Sequence, residues 1–250
     1  MAESAPKEIE AVREAADQMT VCLARQLRDG ERVFLGVNSL LPMTAIHLAR
    51  RLHAPRAVLI GVAGGVDARP RFLPLSSCHP ELCHGAAALF SMADAYDLFA
   101  RGGIDLLFLG AAQIDRAGRV NLSWIGDPAA PKMRLPGGGG GAVIMPQAGR
   151  TVIWRTVHDR RTFVPEVDFC TQSGNLSRVI TPLAVLGGGG GSGLSLESVH
   201  PGRTAEEVAA RTGFALDLSG EVPQTPPPSP EERAALEEID PGGVRFTEFK

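Results

Sequence analysis

The chain has 250 residues, 44% of them hydrophobic and 21% charged, with a formal net charge of −3, which fits a globular α/β protein with a substantial core. That charge, with no basic stripe carrying interleaved aromatics, argues against nucleic acid as a partner. The longest apolar stretch, AVLIGVAGGV (57–66), is too short for a bilayer, MAESAPKEIE has no apolar signal core, and four cysteines (Cys22, Cys78, Cys83, Cys170) make no disulfide framework, so a cytoplasmic protein with free thiols is expected.

Ile9, Val12, Ala16, Met19, Leu23 and Leu27 recur at helical spacing, and Asp29-Gly30 supplies a stop. The apolar run 33–37 reads as a buried strand. Asn38 or Ser39 caps the next helix, whose face carries Leu41, Ala45, Leu48, Ala49 and Leu52, and the run 57–62 is a second strand ending at Gly64-Gly65. Strand, helix, strand with short connections is a βαβ unit, so an α/β fold with an open, mainly parallel sheet and flanking helices is expected. A helix over 82–100 leads through Gly102-Gly103 into the buried strand IDLLFLGAA. DRAG (115–118) is a turn, RVNLSWIGD a short strand, and AVIM (142–145) and TVIWRTV (151–157) are strand-like. RVITPLAVL (178–186) and GLSLESV (193–199) make a hairpin. Thr204 and Glu207 form a capping box for a helix that Gly213 ends, and EVPQTPPPSP is a stiff extended tether to a short helix at 231–239. The expected organisation is one α/β domain over 1–220 with a proline-rich tail over 221–250.

Two runs of five glycines, 137–141 and 187–191, are either spacers or backbone surfaces for a ligand. Strands continue on both sides of each run at intervals too short to separate domains, which argues against spacers. CHPELCH (78–84) gathers two thiols and two imidazoles, but its Cys-x4-Cys spacing is uncommon for zinc and no second Cys/His pair closes a site. SGLSLES has no Gly-x-Ser-x-Gly elbow, neither glycine run continues into the Lys-Ser/Thr of a P-loop, and GVNSLLP lacks the dinucleotide fingerprint. No metal or redox cofactor is expected.

GAAQIDRAGRVNLSWIGDPAAPKMRLPGGGGGA, followed by HDRRTFVPEVDFCTQSG, TAEEVAARTGFALDLS and EEIDPGG, resembles the B-type (beta) subunit of family I CoA-transferases, nearest to the glutaconate CoA-transferase branch. The resemblance covers about 19–243. It implies that family's fold, an A-type partner subunit, commonly in a heterotetramer, and coenzyme A only as part of an acyl-CoA substrate. The A-type signature Asp-x-Gly-x-Gly-Gly-Phe is absent. Gly138, Gly139 and Gly140 take the place of the loop that lies against the thioester, where backbone N–H groups approach a developing oxyanion with no Cβ in the way. The second run, at a hairpin tip, reads as a tolerated turn insertion.

The family's transfer chemistry needs a glutamate at the end of the second core strand, whose carboxylate carries the acyl group and then CoA. Here that place reads LIGVAGGVD, and Val62 takes the glutamate position. A register error does not restore the acid, because Gly61, Ala63, Gly64 and Gly65 are equally inert; Asp67 is the nearest acid, and Glu81 lies farther on. The resemblance then implies one of three activities: hydrolytic C–C cleavage or decarboxylation of an acyl-CoA through a stabilised enolate, CoA transfer with a nucleophile elsewhere, or a non-catalytic scaffold. In the first, the base comes from the partner or from His79, Glu81 or His84. Gln113 and Asp127, with Asn38 after the first strand, are candidate substrate contacts; Asp115 and Asn121 complete the polar loop set and double as turn and cap residues. His158, Arg160 and Arg161 could meet the phosphates of CoA, and Trp124 and Trp154 read as core or intersubunit contacts.

Overall fold

The structure, a computed structural model, describes residues 4–188 and 193–249. The chain gathers into two compact units, 1–92 with 227–250, and 93–226.

The first unit opens with α1 (Ser4–Ala24), where Ala16, Met19 and Leu23 are fully buried and the Thr20 hydroxyl donates back to the Ala16 carbonyl at 2.7 Å. The strand β1 (Arg32–Leu35) pairs in parallel with β2 (Val58–Ile60), Val33 opposite Leu59, and α2 (Leu40–Leu52) connects them: the expected βαβ unit. Neither Asn38 nor Ser39 caps α2 with its side chain. Asn38 is held at φ 53°, and the Leu40 and Leu41 N–H groups donate instead to the Glu248 carboxylate at 3.3 and 2.9 Å. An anion at a helix N-terminus is the favoured arrangement, but its source lies some 200 positions away in sequence.

The second apolar run is shorter as a strand than expected. After β2 the chain turns through 61–64, with Gly64 at φ +97°, and returns as β3 (Gly65–Val66), antiparallel to β2, followed by β4 (Ala88–Leu89) antiparallel to β3. The helix expected over 82–100 is therefore three things: a 3-10 turn (Pro80–Cys83), β4, and α3 (Met92–Ala100), which opens the second unit. Pairing overrides helical spacing here. Gly85 sits at φ +61°, and the 3-10 turn packs so closely on Gly65 that a Cβ there would lie 2.5 Å from the Leu82 carbonyl oxygen.

In the second unit β5 (Leu106–Gly110) is followed by the hairpin β6 (Gln113–Ile114) and β7 (Val120–Asn121), closed at the DRAG turn by a 2.9 Å bond from Gly118 N–H to the Asp115 carbonyl. A second hairpin, β8 (Trp124–Ile125) with β9 (Met133–Arg134), leads into the first glycine run. AVIM is not a strand. It lies in the helix α4 (Gly141–Gln147), with Ile144 and Met145 buried and Ala142 and Val143 exposed, a helical rather than alternating pattern that the glycine loop starts by offering the Gly140 carbonyl to the Val143 and Ile144 N–H groups. Then β10 (Arg150–Trp154) inserts in parallel between β5 and β11 (Leu176–Ile180), and β12 (Ala184–Gly187) and β13 (Ser195–Val199) follow as antiparallel strands. The β12–β13 hairpin is as expected, but its first arm RVITPLAVL is two strands, β11 and β12, that pair with each other around a turn at 181–183, while the rest of the second glycine run, 189–191, lies outside the described residues. Thr204 caps α5 (Ala205–Arg211), accepting from Glu207 N–H. The proline-rich stretch is extended along β13, with Thr225 N–H on the Val199 carbonyl at 2.7 Å.

The C-terminal segment returns to the first unit through α6 (Pro230–Ile239), which begins with a complete Ser229–Glu232 capping box. Arg245 is its anchor: 1% exposed, it donates to Asp17 at 2.6 Å and to Asp240 at 3.0 Å, and also pairs with Glu237. All four cysteines are free, and among the described residues no helix is long and apolar enough to cross a membrane.

Two buried histidines, His158 and His200, and the half-buried His47 are expected to make the fold acid-sensitive. Burial pushes His47, His158 and His200 down from 6.5 to about 4, so each is neutral when folded and protonates more readily when unfolded. Their contribution is complete above about pH 6.5 and is lost as pH falls toward 4, at roughly 1–3 kcal/mol apiece. The urea midpoint is expected to fall over that window. His158→Gln, which keeps hydrogen-bonding atoms for Thr181 and Thr212, is expected to flatten the fall; an unchanged slope would place the acid sensitivity elsewhere.

Candidate active site

In the first unit the turn after β2 carries Val62, half-buried, between Gly61 and Ala63. The acids nearest in sequence are committed. Asp67 accepts from Arg50 at 2.6 Å. Glu81 is buried and takes the Arg71 backbone N–H at 2.7 Å and its guanidinium at 2.8 and 3.1 Å, and these bonds hold its carboxyl at about 2. A carboxylate that acidic is a poor general base near neutral pH. His79 is exposed and caps the 3-10 turn, its Nδ1 accepting from Glu81 N–H at 3.0 Å, and the exposed His84 follows the same turn. Asn38 is exposed at the carboxyl end of β1.

In the second unit the polar residues of the loop motif form a connected framework. Asn121 donates to the Gln113 side-chain oxygen and to the Trp124 carbonyl, both at 2.7 Å, and Gln113 donates to Asp168 at 3.2 Å. Thr171 takes Leu122 N–H at 2.9 Å and lies 2.7 Å from the Ser123 hydroxyl. Gln113 is thus spent within the unit, 5% exposed, with both amide ends engaged. Asp115 binds Arg119 across its turn at 2.7 Å, and Asp127 is exposed in a turn where it accepts Ala129 N–H at 2.8 Å.

This framework carries the first glycine run, whose members are glycine for two different reasons. Gly137 and Gly139 have open space but positive φ, +88° and +51°. Gly138, Gly140 and Gly141 instead have neighbours where a Cβ would stand: Thr171 Cγ2 at 2.6 Å, the Tyr96 hydroxyl at 2.8 Å and Gln172 Oε1 at 1.7 Å respectively. Gly137 N–H is tied to the Leu122 carbonyl at 2.7 Å and Gly141 N–H to the Gly138 carbonyl at 2.8 Å. Among the described residues, the N–H groups of Gly138, Gly139 and Gly140 donate to nothing. Gly139 at φ +51° followed by Gly140 at φ −78°, ψ −4° is the left-then-right alternation that turns successive N–H groups to one side, a concavity suited to an anion.

Two residues of this site escape sequence reasoning. Gln172 is 3% exposed, and neither end of its amide has a partner among the described residues. Tyr96 reaches the loop from α3. His158 is corrected: it is 4% exposed, bonded to Thr181 and Thr212 and stacked on Phe163 at 4.1 Å, so it offers no surface to a phosphate. Arg161 is exposed and pairs with Asp159. Trp154 is buried, and Trp124 packs on Phe169 at 4.0 Å.

A family profile described as Coenzyme A transferase matches residues 16–211. The B-type polypeptide of 3-oxoadipate CoA-transferase from Pseudomonas knackmussii is 35% identical over 242 residues, 90% of this chain and 92% of that one. The cholesterol ring-cleaving hydrolase IpdB subunit of Rhodococcus jostii is 30% identical over 61% of this chain and 66% of its own. The crystal structure of the decarboxylase AibA/AibB superposes with a TM-score of 0.88 at 33% identity, over 94% of this chain and 98% of that one. Sequence and backbone agree, and the chain belongs to the coenzyme A transferase family.

Proposed function

We propose that this chain is the beta subunit of a heteromeric enzyme that, with an A-type partner, cleaves a C–C bond of an acyl-CoA by decarboxylation or hydrolysis. The observation that carries the reading is the turn after β2. By the family resemblance Val62 takes the place where transfer chemistry needs a carboxylate, and Asp67 and Glu81 are held by Arg50 and Arg71. The loop N–H groups of Gly138, Gly139 and Gly140 take the thioester oxygen. As the C–C bond breaks, its electron pair flows into the thioester, the negative charge grows on that oxygen, and the carbon left behind takes up a proton. Each well-aimed N–H contributes about 3–4 kcal/mol to such a step. No covalent bond to this chain is required. The decarboxylase and hydrolase relatives support the reading by bearing those activities in their names.

CoA transfer is the second reading, favoured by the 35% identity to a chain named as part of a transferase. Incubating the complex with dicarboxylic and cyclic oxo-acyl-CoAs, with and without acetate, separates the two by mass spectrometry. Loss of CO2 or gain of water without acetate is expected. A new acyl-CoA formed only with acetate would establish transfer instead.

A further inference from the structure

We propose that the Tyr96 hydroxyl is a ligand-facing hydrogen-bond donor of the glycine loop, binding the same acyl oxygen as the loop N–H groups. The inference rests on the loop's role proposed above. Tyr96 is the only tyrosine in the chain and lies in α3 (Met92–Ala100). Its ring is fixed edge-on against the buried Phe99, centroids 5.7 Å apart. The hydroxyl reaches the space a Gly140 side chain would fill, 2.8 Å from a Cβ built there. It is therefore no more than about 5 Å from the Gly140 nitrogen, so one ligand oxygen can accept from both groups. The residue is 37% exposed, and its hydroxyl has no hydrogen-bond partner among the described residues. Packing on Phe99 would be met equally by phenylalanine; the hydroxyl adds only a donor at the edge of the N–H concavity. A phenol O–H can donate to a ligand oxygen, which a phenylalanine ring cannot do. The absence of a side chain at Gly140 gains a second purpose, room for this hydroxyl.

The test reads the carbonyl itself. Glutaryl-CoA labelled with carbon-13 at the thioester carbon is added to the complex of this chain with its A-type partner, and the thioester C=O stretch is recorded by difference infrared spectroscopy. The band should move to lower wavenumber on binding, return part of the way in Tyr96→Phe, and return fully in Gly139→Pro, which removes a loop N–H and, because proline cannot hold φ +51°, breaks the N–H concavity. Thermal melting of Tyr96→Phe should match the wild type, because the ring contact remains. A wild-type shift that Tyr96→Phe leaves intact while Gly139→Pro abolishes it would overturn the role of Tyr96 and leave the loop reading standing. No shift on binding, or a shift neither variant changes, would remove the loop reading and this inference with it.

Discussion

Gly141→Ala is expected to lower turnover by about 100-fold or more, the cost of misplacing an oxyanion donor. A Cβ at that position would lie 1.7 Å from Gln172 Oε1 and 2.7 Å from its Cδ, and the Gln172 side chain is 3% exposed with little room to withdraw. Either the glutamine or the loop must move, and the loop, whose Gly138, Gly139 and Gly140 N–H groups have no partner among the described residues, is the softer of the two. Overpacking of this kind costs roughly 1–3 kcal/mol in stability, so the variant should fold. Gly141→Ala combined with Gln172→Ala removes the clash and should recover at least tenfold of the lost activity. Full activity in Gly141→Ala alone would mean that the loop geometry is irrelevant to turnover.

Arg245→Met should destabilise the first unit by about 3–5 kcal/mol, the cost of leaving a buried ion network without its cation. Asp240 and Arg245 are each 1% exposed, Asp17 is 15% exposed, and one guanidinium serves both carboxylates and Glu237. Arg245→Lys should recover little, since an ammonium cannot bridge three acceptors held in that fork. Urea denaturation decides it: an unchanged midpoint in Arg245→Met would show that the segment after α6 contributes nothing to the unit.

What the sequence made legible follows from how local each signal is. The runs 33–37 and IDLLFLGAA identified β1 and β5, although β1 ends at Leu35 and Val37 is exposed, because burial on both faces leaves an apolar stretch whatever lies beside it. The 82–100 segment misled because its apolar spacing fits a helix, while pairing of Ala88 and Leu89 with β3 depends on residues more than twenty positions earlier. AVIM reads as a strand until the glycine loop in front of it is seen to supply a helical first turn. Charge hid the rest. Nothing in VRFTEFK marks Arg245 as buried or Glu248 as the cap of α2, since both roles exist only once the tail folds back. Gln113 and Asn121 were visible as polar residues in the loop motif, but their commitment to Asp168 and Trp124 was not. Tyr96 and Gln172 lie some forty and thirty residues from the glycine loop, and only the fold brings them to it.

Formation of an enolate without a covalent acyl-enzyme is most directly tested by running the complex in heavy water with each acyl-CoA of the panel and measuring deuterium at the α-carbon of the product. Acceptor-independent product carrying one deuterium at that carbon is the expected result, because the carbon that loses its substituent must take a proton from solvent. Product that appears only with an acceptor acid, with no deuterium at the α-carbon, would contradict it and return the chain to thioester exchange.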